Sequence, residues 1–94
     1  MNNVQTARIL KRTADLLEYT EGSASSVADY RDASKRVLAF EVPLEIFENA
    51  DADPKIRAEL DAVLHDSFGD LSREFIHDLR RLIIDGKSPT EEKL

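Results

Sequence analysis

Three side chains late in the chain have types and spacing that suit a phosphate backbone. Arg73, His77 and Arg80 are four and three residues apart, so any helix carrying them presents them on one face. Such a face could follow nucleic acid through charge neutralisation. Other constellations offer less chemistry. Asp61 and His65 can share a helix face, as can Arg73 and His77, but no third donor falls into register with either pair. Surface histidines are therefore expected, and no metal is implied. Neither histidine has a serine or carboxylate fixed beside it for general-base work. Acidic pairs such as Glu45/Glu48 and Glu59/Asp66 are expected to be solvated helix faces rather than an acid and base couple. Asp51-Ala52-Asp53 begins like a calcium loop but meets Pro54, without the later glycine and glutamate. Nothing brings a nucleophile, a base and an orienting group together, so a non-catalytic protein is expected and no cofactor is implied.

The bulk properties narrow the field further. Ninety-four residues suit one domain with one modest core. With 41% hydrophobic and 34% charged residues, the chain has enough apolar side chains to fold. No cysteine is present, so disulfides and thiolate metal sites are excluded. No apolar run approaches the length of a membrane span. Met1-Asn2-Asn3-Val4 does not place a basic cap before an apolar stretch, so a secretion signal is not expected and the cytoplasm is the default location. The net charge of −6 is unevenly spread. Residues 1–40 carry six basic and five acidic side chains, residues 41–70 two basic and nine acidic, and residues 71–94 five of each. A nucleic-acid binder usually shows a basic excess, which this chain lacks.

Helical periodicity supplies the elements that must position these groups. Ala7, Leu10, Ala14 and Leu17 define one face of a helix over about Asn3–Thr20, with Gly22 expected to stop it through a left-handed turn. Tyr30, Ala33, Val37 and Phe40 define a second helix, starting near Ser25 or Ser26 and ending before Pro43. Tyr30 and Phe40 lie on that apolar stripe, so both are expected in the core rather than as stacking platforms. Pro43–Asn49 reads as a short helical turn. Asp53 and Pro54 open a helix over Lys55–Ser67, with Ile56, Leu60, Val63 and Leu64 inward and Phe68 in phase. After Gly69, Asp70 is the expected cap of a last long helix from Leu71 to Asp85, whose apolar set is Leu71, Phe75, Ile76, Leu79, Leu82 and Ile83. Gly86 should stop it. Ser88-Pro89-Thr90-Glu91 is a capping box with almost no helix behind it, suggesting a frayed tail or a cut domain. The fold class is therefore all-α, a compact bundle of four to five short helices, with residues 1–87 as the domain and 88–94 as a tail or the start of a further helix. Lys11-Arg12 and Arg80-Arg81 have a simpler reading as ordinary exposed charges.

The order of these elements resembles the amino-terminal domain of family X DNA polymerases, the group of DNA polymerase beta. Tyr30-Arg31-Asp32-Ala33 is similar to the aromatic-Arg-x-Ala helix of that family. A first helix with Ala14-Asp15-Leu16-Leu17 precedes it, a short helix follows Pro43, and a helix-hairpin-helix closes on Gly86-Lys87. The hairpin would span Leu64 to Leu79, and the likeness covers roughly residues 4–87. It implies sequence-independent DNA contact by backbone amides of the turn, at Gly69, Asp70, Leu71, Ser72 and Arg73, with Arg80, Arg81 and Lys87 assisting. The pattern departs from the family at the turn. Asp70 and Ser72 stand where glycines usually flank the apolar residue, and a carboxylate facing phosphate at ~4 Å costs about 1 kcal/mol in water. The lyase activity of some members needs a lysine nucleophile, and that position falls on Asp78, with Glu74 at the supporting lysine. The lyase is therefore not expected. The leading expectation is weak, sequence-independent DNA binding through the hairpin; the alternative is a basic protein docking on the acidic segment Glu41–Asp70, as with antitoxins and DNA mimics. The chain is expected to be a monomer or a homodimer.

Overall fold

The computed structural model describes residues 1–94 and contains helices and turns only. The helices are α1 (Asn3–Tyr19), α2 (Ala24–Leu38), α3 (Pro54–Phe68), α4 (Arg73–Asp85) and α5 (Pro89–Glu92), with a 3-10 turn at Leu44–Phe47. The all-α bundle expected from periodicity is what forms. No helix is long and apolar enough to cross a membrane.

Helix α1 starts at a reciprocal cap: Asn2 Oδ1 accepts from the Gln5 amide, and Gln5 Oε1 accepts from the Asn2 amide, both at 2.9 Å. It returns into α2 as an antiparallel hairpin. The left-handed residue between them is Glu21, at φ 60°, rather than Gly22. Gly22 is favoured for a different reason: a Cβ there would sit a tight 3.0 Å from the Leu17 carbonyl oxygen. Helix α2 begins earlier than the serine pair suggested. Ser23 is its cap, accepting from the Ser26 amide at 3.2 Å. Small residues let α1 and α2 approach closely. Ala7, Ala14 and Ala33 are fully buried, and Ser34 Oγ donates to the Ala7 carbonyl at 2.7 Å.

Helices α3 and α4 form the second layer. Leu60, Leu64 and Phe68 of α3 and Phe75, Leu79, Leu82 and Ile83 of α4 join Leu10, Val37, Leu44 and Phe47 in one core. Tyr30 meets Phe75 edge-on, with ring centres 4.8 Å apart. Phe40, expected in the core, is only half-buried and touches Phe68 from the rim. Asn3 fastens the connecting loop to α1, donating to the Val42 carbonyl and accepting from the Leu44 amide, both at 2.8 Å.

Within residues 88–94, Pro89–Glu92 forms the short helix α5. Ser88 is buried and caps α5, and Arg12 holds Glu91 through two hydrogen bonds of 2.8 Å. No buried side-chain polar atom lacks a partner.

Candidate functional site

The site singled out by sequence is the connection Gly69–Ser72. Helix α3 ends at Phe68 and α4 begins at Arg73, so the bend takes four residues. The cap of α4 is Ser72, which accepts from the Phe75 amide at 3.2 Å, and not Asp70. Leu71 consequently lies in the turn rather than in the helix. Asp70 is turned away to meet Arg36 of α2, whose two terminal nitrogens reach its two carboxylate oxygens at 2.7 and 2.8 Å. This fork-to-fork pair, with help from the Asp70 amide, holds the Asp70 carboxyl down to about 2. Arg36 also donates to the Ser67 carbonyl at 2.9 Å and pairs with Asp32 at 2.6 Å, fastening the end of α3 to α2.

An anion-gripping elbow needs free amides, and most of those at this bend are engaged. The Gly69 amide donates to the His65 carbonyl at 3.1 Å and the Leu71 amide to the Phe68 carbonyl at 2.9 Å. The Ser72 amide points at the Asp29 carboxylate at 3.4 Å. The Asp70 amide meets only its own carboxylate, and the Arg73 and Glu74 amides find no acceptor within the chain. The Asp29 carboxylate thus stands at the Ser72 amide, where a bound anion would have to sit. Gly69 is needed for close approach, because a Cβ on it would overlap the His65 carbonyl oxygen.

The supporting cations are also committed. Arg80 donates to Asp61 at 3.0 Å, and Arg81 grips Asp51 at 2.9 Å and reaches Asp85 at 3.5 Å. Both arginines are half-buried, so the simpler expectation of ordinary exposed charges does not describe them. Lys87 lies 3.9 Å from Glu92. Arg73 alone among the expected cations has no carboxylate partner. His65 and His77 are exposed, and nowhere do three groups of metal-binding type converge.

The position where the resemblance places a lyase nucleophile has become a structural tie. Asp78 is buried, and its Oδ2 accepts from the Tyr30 and Ser88 hydroxyls at 2.7 Å each while Oδ1 accepts from the Thr90 amide at 2.9 Å. Burial, followed by the hydrogen bond to Asp78, pushes the Tyr30 phenol well above the usual tyrosine range. Glu74 lines a shallow depression with Ser26, Tyr30, Ser72 and Thr90. That depression holds no lysine.

Sequence reasoning missed Arg36 and Asp29, the groups that occupy the bend. They lie 34 and 43 residues from their partners, and no spacing rule connects them. It also missed an uncommitted cationic stripe on α1, although Arg8 and Lys11 are three residues apart and off the apolar face. No protein-family model matches the chain, and neither a curated protein nor a solved structure was found to be similar to it.

Proposed function

We propose that this chain is a non-catalytic, cytoplasmic protein-interaction module whose acidic middle segment docks on a basic protein. One observation carries the proposal: the chain's own cations leave part of the acidic block unneutralised. Glu48 pairs with the N-terminus, Asp51 with Arg57 and Arg81, Asp61 with Arg57 and Arg80, and Asp70 with Arg36. Glu41, Glu45, Asp53, Glu59 and Asp66 have no cation within ion-pair distance. Glu59 and Asp66 share the outer stripe of α3 with Lys55 and Ala62, opposite Leu60 and Leu64. Alanine between the two carboxylates leaves room for a lysine or arginine side chain to lie across the helix.

Fluorescence anisotropy with a lysine-rich helical peptide tests this. Binding should weaken as salt rises, because exposed charges are screened within a Debye length of ~10 Å at 0.1 M. The double variant Glu59→Gln/Asp66→Asn should lose roughly tenfold or more, as expected when complementary charge is removed. Unchanged peptide binding by that variant rejects the acidic stripe as the docking face.

Weak, sequence-independent DNA contact is the second reading. It is favoured by the two unengaged amides at the start of α4 beside the unpaired Arg73. Titration at low salt with single-stranded, nicked and duplex DNA decides it. Saturable binding that Arg73→Glu abolishes would establish that reading in place of the first.

A further inference from the structure

We propose that the groove between α1 and α2 is a second docking surface, of opposite charge, that takes an acidic amphipathic helix from a protein partner. The groove is lined by Val4, Ala7, Arg8, Lys11, Ser34 and Leu38. Val4 and Leu38 are 52% and 59% exposed, an unusual position for two branched apolar side chains that face one another across a helix pair. Val42, 40% exposed, extends the apolar strip, since its carbonyl is held by Asn3 at the start of α1. The opposite end is closed by Arg31, which bridges Asp15 and Glu18 of α1 at 3.3 and 2.8 Å.

Charge distinguishes this groove from the rest of the surface. Six of the eight arginines are held by carboxylates of the chain: Arg12, Arg31, Arg36, Arg57, Arg80 and Arg81. Arg8 is one of the two that are not, and it lies on the groove with the unpaired Lys11. Lys35, also unpaired, stands one turn before Leu38 on the same edge of α2. Three free cations therefore rim an apolar strip. From Val4 to Lys11 the strip runs ~10 Å, at ~1.5 Å per residue, which matches about two turns of a partner helix. A helix with leucine-like residues at i, i+4 and i+7 and glutamates on its flanks would seat its apolar side on Val4 and Leu38 and its acids on Arg8, Lys11 and Lys35.

Two other occupants fit less well. Nucleic acid gains nothing from the Val4–Leu38–Val42 strip. An anionic membrane surface would have to accept a chain of net charge −6. The proposal does not rest on the acidic stripe of α3, which lies on the other layer of the bundle.

The test is titration of the isotope-labelled chain with a synthetic acidic amphipathic helix, followed by amide chemical shifts and anisotropy. Shifts should be confined to residues 3–11 and 34–42. Arg8→Glu/Lys11→Glu should weaken binding roughly tenfold or more, and Leu38→Ala should weaken it several-fold without changing its salt dependence. These positions are exposed, and unchanged helix content by circular dichroism confirms that the variants fold. Several results overturn the proposal: no binding, shifts outside the groove, or indifference to the charge reversal. Tighter binding to vesicles of anionic lipid or to duplex DNA through the same residues also overturns it, as does light scattering that shows a second copy of the chain covering the groove.

Discussion

Replacing Asp78 with alanine should remove a large share of the stability of this domain. The carboxylate is 3% exposed and accepts three hydrogen bonds, from α2, from the residue preceding α5 and from α5 itself. Hydrogen bonds to a charged group contribute about 1.5–3 kcal/mol each, so losing three sets a gross penalty of roughly 4.5–9 kcal/mol. Part is returned, because a buried carboxylate is costly to desolvate and alanine is not, leaving a net loss of about 3–5 kcal/mol. A domain of this size has a total stability of only about 5–15 kcal/mol. At ~4–8 °C per kcal/mol, the midpoint of thermal unfolding should fall by about 12–40 °C. Asp78→Asn should fall between wild type and alanine. Its carbonyl can keep the two hydroxyl donors, but its amide nitrogen then faces the Thr90 N–H, donor against donor. Urea and thermal unfolding followed by circular dichroism measure both variants, with Tyr30→Phe completing a double-mutant cycle. A loss under about 1 kcal/mol for Asp78→Ala, no larger than one ordinary hydrogen bond, would refute the claim that this carboxylate joins three elements.

Three smaller perturbations test the local geometry. Gly69→Ala should destabilise by about 1–3 kcal/mol, because the added methyl must displace the His65 carbonyl; a melt within error of wild type would show that α3 ends more loosely than described. Glu21→Gly should stabilise by about 0.5–1 kcal/mol by relieving a left-handed backbone at φ 60°, seen as a rise in the denaturant midpoint at constant slope. The Asp70 carboxyl, lowered to about 2 by Arg36, favours the folded state above the ordinary carboxylate range and loses that contribution as pH falls toward 2. Asp70→Asn should therefore flatten the acid limb of stability between about pH 4 and pH 2, and a carboxyl-carbon titration should place the wild-type midpoint near 2.

The helices were largely legible in the sequence because amphipathic spacing is a local property. Ala7, Leu10 and Ala14 face inward as their steps of three and four require, and so do Tyr30, Ala33 and Val37. The caps were less legible. Ser23 and Ser72 compete with neighbouring Ser25 and Asp70 for the same role, and the choice depends on where the distant Arg36 draws the Asp70 side chain. The fate of the bend was not legible at all. Whether its amides are open depends on Asp29, and whether α4's arginines are free depends on Asp51 and Asp61. Those pairings exist only once α4 has packed against α2 and α3. The α1–α2 groove was hidden likewise, since Val4 and Leu38 become neighbours only through the antiparallel hairpin.

Amide chemical-shift mapping at low salt offers a single decisive comparison between the two partner classes. The labelled chain is titrated with a lysine-rich peptide in one series and with duplex DNA in another. Docking through the acidic stripe predicts saturable shifts from Lys55 to Asp66 with the peptide, and no response at Gly69 to Glu74 with DNA. Saturable shifts at Gly69 to Glu74 with DNA, while α3 ignores the peptide, would contradict it.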